Sequence, residues 1–147
     1  MREILFRGKD TLGHWLYGGF HLWETRQPCV CNDELKPEEI KHIIIKNSFA
    51  DWNMPRTMQP YIVIPETVGQ YTGLTDKNGK KIFEGDIVKS GTYKFTEELI
   101  FTVVFDEFCR YVIVSNYGIY LLARNHEDVE VIGNIHDNPE LLKEREG

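Results

Sequence analysis

Cysteine is scarce in this chain: Cys29, Cys31 and Cys109 are the three among 147 residues. An odd number, behind an opening Met1-Arg2-Glu3-Ile4 that lacks the apolar core of a signal peptide, argues against a disulfide framework. Cys29-Val30-Cys31 has one intervening residue where a zinc knuckle uses about two to four, and no second pair follows. The thiols are therefore expected free and reduced, with Cys109 in the core. Long apolar runs are also missing, since nothing approaches the roughly 18 residues of a membrane span. Positive charge is in short supply: 17 Lys and Arg against 23 Asp and Glu leave a net charge of −6. That argues against a general nucleic-acid coat, though not against a local basic patch. No Walker loop, Gly-x-Ser-x-Gly elbow or dinucleotide fingerprint is present. These gaps predict a cytoplasmic protein without cofactor or membrane contact, and not an enzyme.

What the chain does have is strand and turn chemistry. Its 41% hydrophobic and 12% aromatic content suits one domain, or two small ones sharing a core. The densest stretch is Gln70–Val88, QYTGLTDKNGKKIFEGDIV. Asp76, Asn78 and Gly79 fit a turn between Tyr71–Thr75 and Lys80–Phe83, with Gly79 at the φ > 0 position that closes a hairpin with a bulge. A second break at Glu84-Gly85-Asp86 turns the chain into Ile87-Val88.

This stretch resembles the YopX family of phage and prophage proteins. The opening MREILFRG, the approach Ile64-Pro65-Glu66-Thr67-Val68-Gly69 and the closing VEVIGNIHDNPELL (Val129–Leu142) agree with it. Glu24–Pro60 carries none of these recognised motifs and looks like a variable insertion. The resemblance implies a phage-related, mostly β protein in a bacterial host. It carries over no catalytic residue, ligand or partner.

The remaining chain reads as further short strands: Arg2–Arg7, His14–Leu22, Tyr61–Ile64, Leu99–Phe105, Arg110–Ser115, Ile119–Ala123 and Val129–Ile135. Gly18-Gly19, inside an aromatic strand, suggests a bulge or the close approach of another backbone. Pro37-Glu38-Glu39 opens a helical turn, followed by a strand at Ile43-Ile44-Ile45. Asp51–Pro60 reads as loop. Asn138, as N-cap, and Pro139 start a short terminal helix. The fold class is mainly β: an N-terminal β-rich region (1–68, with the insertion at about 24–60) packed with a small SH3-like, barrel-type β unit (69–147). Leu99–Phe105 is apolar on both faces, so either the N-terminal strands or a second subunit should cover one of them. Trp15, Trp23 and Trp52 supply aromatic surface for either arrangement.

Three clusters are candidates for chemistry. His136 and Asp137, with Asn134 and Asn138, hold metal-ligand atoms, but Pro139 marks them as a strand end and helix cap. Glu84, Asp86, Asp106 and Glu107 offer paired carboxylates, yet all lie at turns. Tyr71, Phe83, Tyr93 and Phe95, with Lys80, Lys81, Lys89 and Lys94, mix aromatics and cations as single-strand nucleic-acid binders do. Against this, Phe83 suits a core, and lysines protect sheet edges. The favoured reading is a non-enzymatic interaction module with a host or phage protein partner, able to self-associate. Single-stranded nucleic acid is the alternative, and a carboxylate- or metal-dependent hydrolase the last choice.

Overall fold

A computed structural model describes residues 1–28, 33–48, 52–90 and 98–143. The chain is mainly β, 49% strand. Among the described residues helix is confined to single turns, including α1 (Leu122–Asn125) and α2 (Glu140–Lys143). It forms two compact units, Ile4–Gly69 and Met1–Glu3 with Gln70–Gly147.

The first unit contains β1 (Phe6–Lys9), β2 (Trp15–Glu24), β3 (Ile40–Asn47) and β4 (Met58–Ile62), antiparallel in the order β4-β3-β2-β1. β1 starts later than the Arg2–Arg7 strand expected from sequence and runs through Gly8. A Cβ there would stand 2.8 Å from Val63, so Gly8 admits a close neighbour and does not end the strand. Gly18 serves the same purpose more severely. Its Cβ would lie 2.1 Å from the Ile45 carbonyl oxygen, which makes close backbone approach the reason for that glycine. The Ile64–Gly69 segment ties back to β1. Lys9 O accepts from Ile64 N (2.8 Å), Lys9 N donates to Thr67 Oγ1 (2.9 Å), and Thr67 Oγ1 donates to Ile64 O (2.6 Å).

Pro37–Glu39 is a 3-10 turn leading into β3. Arg26 holds it in place, donating to Glu39 (2.7 Å) and Asp33 (2.9 Å). β4 includes Pro60, against the expectation of loop up to that residue. It is the edge strand, and bonds from Val63 N to His42 O and Ser48 N to Thr57 O show its odd-numbered residues facing β3. The missing N–H of Pro60 therefore points outward, where no ladder bond is lost.

In the second unit, β5 (Gly69–Thr75) and β6 (Lys81–Phe83) form a hairpin. β7 (Asp86–Ser90), β8 (Ile100–Phe105), β9 (Tyr111–Ser115) and β10 (Gly118–Leu121) follow as a meander. The last strand, β11 (Val129–Asn134), returns to pair with β7, giving the order β10-β9-β8-β7-β11. Ile82, Val88, Phe101, Val103, Ile113, Leu122 and Val129 form the core. The strand expected over Ile119–Ala123 stops at Leu121, because buried Leu122 opens α1 and reaches that core. β8 is not uniformly covered. Phe101 and Val103 are buried, whereas Val104 and Phe105 are 40% and 48% exposed. On its second face, neighbouring Ile87 and Val112 are buried within a single chain.

Candidate functional site

Three hairpin turns are built on one plan. Each opens with an aspartate whose Oδ1 accepts from the backbone N–H groups two and four residues on: Leu12 and His14 for Asp10, Asn78 and Lys80 for Asp76, Phe108 and Arg110 for Asp106. Each aspartate N–H donates to the carbonyl four residues on, and its own carbonyl accepts from the residue three on. That residue has positive φ: Gly13 (88°), Gly79 (80°) and Cys109 (60°). Cys109 is thus an exposed turn residue and not a core thiol. The spacing Asp-x-x-Gly at Asp10 and Asp76 could have revealed the repeat in the sequence. The third copy was hidden because cysteine stands where glycine belongs.

Asp76 does more than close its own turn. Its carboxylate is 5% exposed, and Oδ2 accepts from Val131 N on β11 (2.9 Å). Lys77 N also donates to Val129 O (3.0 Å). Burial pushes the Asp76 carboxyl up, but the three N–H donors outweigh it and hold the group below the ordinary carboxylate range.

The second turn is anchored by Asp86, 2% exposed, whose Oδ2 accepts from Phe83 N (2.8 Å). Gly85 takes φ 81°, donates to Val103 O and accepts from Ile135 N. Glu84 is different. Burial raises its carboxyl above the usual range, against the lowering effect of Tyr111 and the Gln70 backbone. Tyr111 donates to it (3.3 Å) and is itself pushed up to about 12, first by burial.

Around the closing segment, Asn134 Oδ1 accepts from His136 N and Asp137 N, and Asn134 Nδ2 donates to Asp137. Asn138 Oδ1 accepts from Asn134 N (3.4 Å), so its side chain turns back toward β11, while its carbonyl accepts from Leu141 N. Pro139 precedes α2. Among the described residues, no group of three or more His, Cys, Asp or Glu could hold a metal ion. His136 and Asp137 belong to this hydrogen-bonded turn.

The aromatic-basic end does not assemble as expected. Tyr71 and Phe83 pack together, ring centres 5.6 Å apart, and are 8% and 4% exposed, so neither offers a face to a ligand. Lys81 sits over Tyr71 (5.4 Å) and pairs with Glu3 (2.9 Å), and Lys89 pairs with Glu98 (2.7 Å). Lys80 is exposed. Tyr93, Lys94 and Phe95 lie outside the described residues, as do Cys29 and Cys31.

An unforeseen surface is one face of the first sheet. The register places Trp15, Tyr17, Gly19, His21 and Trp23 together on β2, with Arg7 and Lys9 beside them on β1 and Lys41, Ile43 and Ile45 on β3. Tyr17 and Trp23 are 45% and 49% exposed. The Arg7 guanidinium and the Lys9 ammonium lie 4.8 and 5.8 Å from the Trp15 ring centre. The opposite face holds Phe6, Phe20, His42 and Ile44, whose rings make contacts of 5.4 Å (Phe6–Phe20) and 5.8 Å (Phe20–His42). The alternation Trp-x-Tyr-x-Gly-x-His-x-Trp was readable in the sequence, but which neighbours shared its face was not.

Paired antiparallel sheets stabilised by aspartate turns define a mainly-β class of protein. The YopX protein family model matches residues 19–143, and the chain belongs to that family. A similar solved structure is that of protein EF1440 from Enterococcus faecalis, with 24% identity and a TM-score of 0.53, covering 97% of this chain and 99% of that one. It shares the β-type fold. No curated protein matches significantly. Among the described residues, no helix is long and apolar enough to cross a membrane.

Proposed function

We propose that this chain is a phage-related accessory protein of the bacterial cytoplasm that acts by binding a host or phage protein and not by catalysis. One observation carries the reading: three of the four candidate carboxylates are engaged in the fold. Asp86 and Asp106 accept backbone N–H bonds that shape turns, Asp106 also accepts from the Arg110 guanidinium (2.8 Å), and Glu84 accepts from the Tyr111 hydroxyl (3.3 Å). Meanwhile large apolar side chains, Trp23, Met58, Ile62 and Phe105 among them, stand exposed, as interaction surfaces do. The unit from Gln70 onward we read as a small SH3-like barrel. The meander, the return of β11 to β7 and the helical turn just before it support that reading.

The test is a tagged chain expressed during induction of a host carrying the prophage. A defined partner should co-purify in fixed ratio and rebind when both proteins are pure. Repeated isolation of background bands alone would count against the reading. We further infer self-association through exposed strand faces; a clean monomer by sedimentation at micromolar concentration removes that part.

A further inference from the structure

We propose that the β2 face of the N-terminal sheet is a stacking platform for single-stranded nucleic acid. This keeps the reading of the chain as a binding module but goes beyond the protein partner proposed above, assigning this one surface a different ligand class. Every residue of β2 on this face from Trp15 to Trp23 is a ring or a glycine: Trp15, Tyr17, Gly19, His21, Trp23. At about 3.3 Å per residue the row spans about 27 Å, room for several nucleotides. At its centre, a Cβ built on Gly19 meets nothing within 4 Å, so a flat ligand can lie across the strand without obstruction.

Cations flank the rings. Lys41 stands opposite Trp23 and Lys9 opposite Trp15; Arg7, opposite Tyr17, is buried and packs on the Trp15 ring, so the two lysines form the flank. Across β1 to β4 this face carries no Asp or Glu. The acidity of the chain lies elsewhere, since Ile4–Gly69 holds seven Lys and Arg against eight Asp and Glu. Flat rings bordered by cations, with the acids excluded, match bases and phosphates. A protein partner would be expected to plug side chains between protruding aliphatic groups; these stand only beside the row, at Ile43 and Ile45 on β3, and none stands within it. The edge of the sheet offers little to a peptide strand either, because Pro60 removes an outward donor from β4.

The experiment is fluorescence anisotropy of labelled oligo(dT), about 12 nucleotides long, titrated with the full chain at low salt and again at rising salt. Binding should quench tryptophan emission. Trp23→Ala should weaken it about tenfold. Lys41→Glu should weaken it as well and reduce the dependence of log K on log salt by about one. Lys80→Glu, on the other unit, should change neither. Thermal melting of each variant confirms that it folds; Lys41→Glu, a surface charge change, carries the test should Trp23→Ala not. A poly-glutamate peptide forms the second arm. If it binds through Trp23 and Lys41 while oligo(dT) does not, the nucleic-acid proposal falls and the binding-module reading stands. No oligonucleotide binding, or binding indifferent to both Trp23→Ala and Lys41→Glu, overturns the proposal.

Discussion

Cys109 occupies the one turn position of its kind not filled by glycine. With φ at 60° its Cβ meets the crowding that the left-handed region imposes on L-residues, a cost of about 1–2 kcal/mol. Cys109→Gly should therefore raise stability by about 1 kcal/mol after the extra freedom of the unfolded chain is deducted. Gly79→Ala, at φ 80°, should lower it by a similar amount. Chemical denaturation of both variants checks the pair. Asp76 supplies a pH dependence. Its folded carboxyl titrates below the unfolded value of about 3.9, so its stabilisation is complete above that pH and lost as pH falls through the folded value. Asp76→Ala, which strands three N–H groups, should cost on the order of 3 kcal/mol at neutral pH and flatten the acid limb of the stability profile. Glu84 acts with the opposite sign. Its folded carboxyl titrates above the unfolded one, so its ionisation opposes folding as pH rises through that window. Glu84→Gln should be more stable than the parent at pH 7, as read by the denaturation midpoint.

At the scale of the element, β2 and β8 depend on opposite features of the side chain. β2 has to lose one: with the Ile45 carbonyl oxygen 2.1 Å from where a Cβ would stand, Gly18→Ala must displace backbone, whereas Gly19→Ala meets open space. The first should cost about 2–3 kcal/mol, whereas the second should be neutral or stabilising by up to about 1 kcal/mol, glycine being the poorer strand residue. Adjacent glycines in the sequence do not say which of them is crowded. β8 has to fill space. Phe101 is fully buried and meets Tyr120 edge-on at 5.8 Å, so Phe101→Ala should cost about 3–5 kcal/mol and lower the thermal midpoint accordingly. The period-two apolar pattern identified this strand from sequence. It could not tell that burial changes along the strand, from covered Phe101 and Val103 to exposed Val104 and Phe105.

For the molecule as a whole, charge and apolar exposure are unevenly distributed. Net charge sits mostly on the unit from Gln70 onward, while the ring-bearing, acid-free strand face belongs to Ile4–Gly69. A chain of net charge −6 is thus compatible with a local site for an anionic ligand. Much of the architecture was legible beforehand. Alternation of apolar residues marked most strands, and the Asp, Asn and Gly of Gln70–Val88 marked the hairpin and the turn after it. The candidate site was less legible. Tyr71, Phe83, Lys81 and Lys89 read as a binding face by composition alone, yet packing buries the two aromatics and ion pairs engage the two lysines.

The sequence by itself determined the turns, because φ > 0 and a short acceptor side chain are local requirements that glycine and aspartate meet within five residues. It likewise determined where strands could run and the family to which the chain belongs. Only the tertiary structure decided that Asp76 reaches from its hairpin to Val131, that Cys109 completes a third copy of the aspartate turn, and that the rings of β2 share an acid-free face with Lys41. Cross-strand register sets those neighbours, and register is fixed by burial and pairing between segments far apart in the chain.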